Sequence, residues 1–165
     1  MKQRPILFST PMVQAILEDR KTQTRRTIKE MAPWGDEWEV RLVKEEHMDG
    51  IPRYEIRSGT RYVLPFIKCP YGQPGDILWV REEHYRYGHW VEKEGVFTPT
   101  GRQKWMFVPL TDEVLYEAPE SFRKGMHNKD PHTAAWHKRL ARFMPRHAAR
   151  IFLQVTDMKV ERLQD

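Results

Sequence analysis

Cys69-Pro70-Tyr71-Gly72-Gln73-Pro74-Gly75-Asp76-Ile77-Leu78-Trp79-Val80 crowds two prolines, two glycines and an aspartate into eight positions and then runs into four apolar residues. Proline presets φ and glycine supplies left-handed conformations, so such a cluster predicts a tight turn that delivers a buried strand. Upstream, Tyr62-Val63-Leu64 and Phe66-Ile67 are β-prone but split by Pro65. Proline cannot donate to a ladder, which predicts an edge strand or a bulge. Further back, Trp38, Val40 and Leu42 alternate with charged residues, as do Tyr54 and Ile56 beyond Asp49-Gly50, the pattern of a hairpin with an exposed tip. Near the start, Ile6-Leu7-Phe8 reads as a short strand and Thr10-Pro11 as the N-cap and first-turn proline of a helix. Met12, Val13, Ile16 and Leu17 give that helix one apolar face, ending near Arg20-Lys21.

Downstream, residues 85–104 are aromatic, charged and punctuated by glycine and proline, which predicts an irregular excursion before a strand over 105–110. Residues 117–133 read as a long polar loop. The stripe Trp136, Leu140, Phe143 predicts a short helix stopped by Pro145, and Ile151, Leu153 and Val155 share one face of a last strand, with Val160 and Leu163 continuing the apolar pattern. Many strands without βαβ alternation imply a β-rich α+β fold, a small barrel or open roll with flanking short helices.

At 165 residues the chain suits a single domain, 1–165. Its 39% apolar content and six tryptophans argue against disorder. No run approaches the apolar length of a membrane span and the start lacks a signal-peptide core, so a cytoplasmic protein without a membrane partner is expected. The single cysteine, Cys69, can build neither an internal disulfide nor a thiolate metal site. The net charge of +5 is uneven: residues 1–30 carry seven Lys/Arg against three Asp/Glu, residues 123–165 carry ten against four, and the middle is net acidic. Two basic ends suit phosphate, although ordinary solvated charge gives the same count.

Directly after the predicted helix comes Lys21-Thr22-Gln23-Thr24-Arg25-Arg26. The Lys-x-x-x-x-Arg spacing, taken with Gly75-Asp76-Ile77-Leu78-Trp79-Val80, resembles the ASCH family of the PUA-like superfamily. Residues 8–26, 69–82 and 144–165 are most similar to the ASCH proteins of phages and prophages. The family places glycine two positions before the lysine, where this chain has Asp19. The resemblance implies a pseudo-β-barrel with a cleft beside the lysine motif, ligands that are RNA or a modified nucleoside, and an unassigned insertion around 86–133. It does not imply one reaction: a lysine and a threonine spaced as Lys21 and Thr24 act with a glutamate in members similar to a bacterial N4-acetylcytidine amidohydrolase, whereas other members bind or cleave RNA.

Amide hydrolysis needs an oxygen nucleophile, a base and an acid for the leaving amine. Neutral Lys21 would take the proton of Thr24, and Glu82, on the strand after the turn, is the candidate third member. Against this, Lys21 could simply contact phosphate while Thr24 satisfies loop backbone, and Glu82 could be an ion-paired carboxylate. Arg25, Arg26, Arg139, Arg142, Arg146 and Arg150 are candidate phosphate contacts, and Tyr85 and Tyr87, on an expected exposed strand end, are candidate stacking platforms. The histidine pairs 84/89 and 132/137 lack metal-ligand spacing, and no zinc-deaminase, phosphate-loop or nucleophile-elbow motif is present, so no metal or other cofactor is expected. The reading is thus an RNA- or modified-nucleoside-directed domain, with acetyl-amide hydrolysis as its most concrete activity. A non-catalytic RNA-binding module, a ribonuclease and a phage protein acting on a host protein are the alternatives.

Overall fold

The computed structural model describes residues 1–27, 39–43, 53–58, 61–67, 69–127 and 129–159. Among them the strands are β1 (Gln3–Leu7), β2 (Glu39–Val43), β3 (Arg53–Ser58), β4 (Arg61–Ile67), β5 (Ile77–Arg81), β6 (His84–Phe97), β7 (Gln103–Leu115), β8 (Ala135–Arg139) and β9 (Phe152–Gln154). The single described α-helix is α1 (Thr10–Leu17), and 3-10 turns cover Ala141–Phe143 and Arg146–Ala148. The class is α+β and mostly strand, in three three-stranded sheets ordered β1-β5-β9, β2-β3-β4 and β7-β6-β8; none closes into a barrel among the described residues. Two compact units emerge: Met1–Ile6 with Asp19–Trp79 and Ile151–Asp165, and Leu7–Glu18 with Val80–Arg150.

In the first unit, the proline- and glycine-rich turn does deliver a strand. Gly75 donates its N–H to the Val155 carbonyl at 2.8 Å, and β5 then pairs antiparallel with β9, Leu78 opposite Leu153. The turn is locked by Asp76, a buried carboxylate that accepts the Lys2 N–H at 2.7 Å and the Gln73 N–H at 3.3 Å. Those contacts, the Lys2 amide first, hold its carboxyl below the usual aspartate range despite the opposing cost of burial. Gly72 is required here, since its φ is +104° and a Cβ would lie 2.7 Å from the Asp76 Oδ2. The expected hairpin is present as the antiparallel β2–β3 pair, Val40 opposite Ile56. Pro65 lies in β4, an outer strand of that sheet whose register with β3 shifts, in keeping with proline's missing donor. The expected hairpin tip at Asp49-Gly50, and Val160 and Leu163, lie outside the described residues.

The second unit departs from the sequence expectations. Residues 85–104 are not an irregular excursion: β6 and β7 form one long antiparallel hairpin, Trp90 opposite Phe107. Its tip is a short turn in which Gly101, φ +75°, returns its N–H to the Thr98 carbonyl at 2.9 Å. At Gly88 the neighbouring strand comes so close that a Cβ would stand 2.7 Å from the Phe107 Cζ and crowd the Val108 carbonyl. The helix expected over 134–143 is instead β8, paired with β6 (Arg86 opposite His137), followed by a 3-10 turn. Helical spacing of Trp136, Leu140 and Phe143 was a weaker influence than the backbone partners β6 offers, and residues 135–139 alternate between two sheet faces.

Helix α1 begins after Ser9, which takes the N-cap position expected of Thr10, with Pro11 in its first turn. It buries Val13, but Leu17 remains exposed and the helix stops there rather than at Arg20-Lys21. Phe8, Val13, Val80, Tyr85, Met144 and Ala148 are this unit's buried apolar side chains among the described residues. Arg81 ties the 3-10 segment in place by donating to the Arg142 carbonyl and, at 3.1 Å, to the Met144 carbonyl.

Candidate functional site

The lysine motif lies in the first unit and begins where α1 ends. Asp19, just past the Glu18 C-cap, has φ +56°. This is the left-handed position that commonly ends a helix and that glycine fills without strain; aspartate is among the few other residues that tolerate it. Lys21 is half-buried and its Nζ donates to the Gln23 carbonyl at 2.5 Å, while Thr24, Arg25 and Arg26 are exposed. The ammonium is thus turned onto its own loop.

Glu82 belongs to the second unit and has a different setting. Its side chain is 3% exposed, and both oxygens are held by Arg150, Nε to Oε1 and Nη2 to Oε2, each at 2.9 Å. The same guanidinium lies 4.1 Å over the Tyr116 ring, and the Tyr116 hydroxyl donates to the Ala148 carbonyl. Burial, and then the Glu82 charge, push the Tyr116 phenol up, while Glu82 pushes Arg150 further up. A planar fork on a desolvated carboxylate is a strong, oriented pair, so Arg150 is engaged with protein rather than presented as a phosphate contact. Glu83 forms a 2.8 Å ion pair with Lys138.

The candidate stacking residues divide as well. Tyr85 is buried, edge-on to Phe122 at 4.9 Å, so it is not an exposed platform; β8 and β7 flank it on both sides. Tyr87 is half-buried against Trp136. Among the described residues Phe97, Phe143 and Phe152 are exposed aromatics; of these Phe143, 52% exposed, has the guanidinium carbons of Arg139 and Arg142 each 5.0 Å from its ring centroid. Arg139 also lies 4.4 Å from the Phe107 centroid and 5.0 Å from that of Trp90. Arg142 and Arg146 are exposed. Phe143 escaped sequence reasoning because its helical spacing made it look like core; the adjacent Arg142 was the available signal.

Among the described residues two histidines, His84 and His137, are fully buried. His84 Nδ1 lies 3.1 Å from the Glu82 carbonyl, and His137 Nδ1 lies 3.3 Å from the Trp90 Nε1, which can only donate, and 3.2 Å from the Gly125 carbonyl, which can only accept. Burial holds both imidazoles below the usual histidine range, and neighbouring arginines add to the effect. Among the described residues no three of His, Cys, Asp and Glu gather as a metal site would require, and no helix is long and apolar enough to cross a membrane.

Comparison of the chain with family models, curated proteins and solved structures gives no match.

Proposed function

We propose that this protein is an RNA- or modified-nucleoside-binding domain of the ASCH type, acting in the cytoplasm, with a PUA-like pseudo-barrel as its full architecture. The observation that carries the binding reading is Phe143, an exposed ring flanked by the guanidinia of Arg139 and Arg142. An exposed ring accepts a base, and flanking guanidinia accept the phosphates on either side of it. The left-handed Asp19 supports the ASCH assignment, since it occupies the place of the family's glycine in the conformation a glycine would adopt.

The test is binding of a labelled single-stranded RNA and of N4-acetylcytidine across a salt series. Phe143→Ala should weaken RNA binding by about 1–3 kcal/mol. Arg142→Ala should reduce the slope of log affinity against log salt by about 0.7, one phosphate contact on a single strand. Absence of binding to either ligand at low salt would remove this reading.

Amide hydrolysis is the second reading, favoured by Lys21 and Thr24 lying on one short loop of one unit. Glu82 fits it less well, because both its oxygens are engaged by Arg150. Under this reading wild-type protein releases acetate from N4-acetylcytidine. Lys21→Arg abolishes release because arginine stays protonated, and Thr24→Val abolishes it by deleting the hydroxyl. No acetate from the wild type, or near-normal release by both variants, leaves the binding reading alone.

A further inference from the structure

One face of the β6–β8 pair holds an unusual set of side chains. His84 stands opposite Arg139 and Arg86 opposite His137, and alternate residues of a strand share a face, so the four form a two-by-two block. His84, Arg86 and His137 are at least nine-tenths buried. Each has a buried nitrogen without a hydrogen-bond partner: Nε2 of both histidines and Nε of Arg86. Such groups are expensive to leave unmatched in a folded interior.

The charge balance is also one-sided. Three other cations of this unit have carboxylates: Arg150 has Glu82, Arg123 has Asp130 and Lys138 has Glu83. Arg86 has the Thr111 carbonyl at 3.1 Å, and Arg139 has three aromatic rings, but neither has a carboxylate among the described residues. Burial and Arg86 push the Arg139 guanidinium down, the mark of two cations held close in a poor solvent. A cation would be repelled from this block, and an anion is what it lacks.

We propose that the β6–β8 face is an oxyanion site, in which Arg139 receives a phosphate group at its half-exposed guanidinium and Arg86, His84 and His137 supply the inner donors. This names the phosphate subsite of the RNA- and nucleoside-binding reading and rests on that reading only for the source of the phosphate. Proton uptake accompanies binding. The Glu82 carbonyl can only accept, so His84 Nδ1 carries its hydrogen, and Nε2 becomes a donor only in the imidazolium. The groups that set this equilibrium are Arg139, Arg86 and Glu82 around His84, and Arg123 and Arg139 around His137. An anion among them offsets the arginines and favours the protonated His84 ring, so affinity rises as pH falls.

The experiment titrates wild-type protein with sulfate, whose charge is constant near neutral pH, and reads the imidazole nitrogens by long-range proton–nitrogen correlation, with chloride at matched ionic strength as control. Sulfate, and not chloride, should move the Nε2 signal of His84 to the protonated range. Arg86→Met and Arg139→Met should each weaken sulfate about tenfold or more, the loss of a charge-assisted hydrogen bond. If those variants do not fold, the wild-type His84 signal decides alone. A His84 ring that ignores sulfate, or responds equally to chloride, overturns the site even if RNA binds elsewhere. With the site established, competition by single-stranded RNA assigns it to the RNA backbone. Competition by cytidine monophosphate but not RNA assigns it to a free nucleotide, in which case the site stands and the RNA reading falls.

Discussion

Arg150→Met is the substitution whose cost is best defined by geometry. It leaves the Glu82 carboxylate, 3% exposed, without either of the two hydrogen bonds at 2.9 Å that now satisfy its oxygens. Removing one partner of a buried pair costs about 3–5 kcal/mol, because the remaining charge is stranded. Here the Arg150 side chain is itself 37% exposed, so water entering from its side would recover part of that loss. A cost of about 2–3 kcal/mol follows. For a chain of this length each kcal/mol lowers the melting temperature by about 2–4 °C, giving a drop of roughly 5–10 °C. Thermal unfolding followed by circular dichroism measures it, with urea midpoints as a check. Glu82→Gln should cost less, because an amide keeps one acceptor, and the double variant Glu82→Gln/Arg150→Met should be less destabilised than the sum of its parts by about 1–2 kcal/mol. A melting temperature for Arg150→Met within about 1 °C of wild type, or strict additivity, would refute the picture of a desolvated, mutually dependent pair.

Gly88→Ala should cost at least about 1–3 kcal/mol, as overpacking does, because the added methyl meets the Val108 carbonyl and the Phe107 ring; a urea midpoint unchanged from wild type contradicts this. Asp19→Gly should be neutral or stabilising by up to about 1 kcal/mol, whereas Asp19→Val should destabilise, since a β-branched residue resists φ +56°; equal midpoints for the two would count against a strained position. His84 and His137 have folded pKa values below the unfolded one, so the unfolded chain binds more protons; their contribution to stability is full above about pH 6.5 and is lost as pH falls below it. Melting temperature should therefore decline over that window, and His84→Gln should flatten the decline if it folds. Asp76 has the same sign in a lower window: its contribution is present above the unfolded value of 3.8 and is lost as pH falls below it, and Asp76→Asn should remove that phase from an acid titration.

What could be read in the sequence was local. The turn before β5 was legible because Gly72 and Gly75 have conformational requirements that few residues meet, and the position of β4 because Pro65 cannot join a central ladder. The long β6–β7 hairpin was hidden because its Gly88 and Gly95 look like breaks, although Gly88 is needed for close strand approach rather than for a turn. The candidate site was legible only in part. Lys21, Thr24, Arg25 and Arg26 are adjacent in the chain, so their grouping cost no folding knowledge. The Glu82–Arg150 fork and the His84–Arg86–His137–Arg139 block join residues some fifty or more positions apart, through pairings that no periodicity encodes. Tyr85 seemed accessible for the same reason: the strands covering it come from later in the chain.

The order of strands β1-β5-β9 has a consequence for how the chain is made. The first unit is discontinuous, and the whole run Val80–Arg150 is translated before its final strand. On the ribosome β5 therefore waits with one row of backbone donors and acceptors unmatched until β9 follows, roughly seventy residues later. The hairpin of β6 and β7, whose contacts are nearer in sequence, can be complete well before then. During that interval the nascent protein carries an open β edge. A pause in translation within residues 80–150 would lengthen the exposure of that edge, and a slow codon in this stretch would be expected to lower soluble yield without altering a single amino acid.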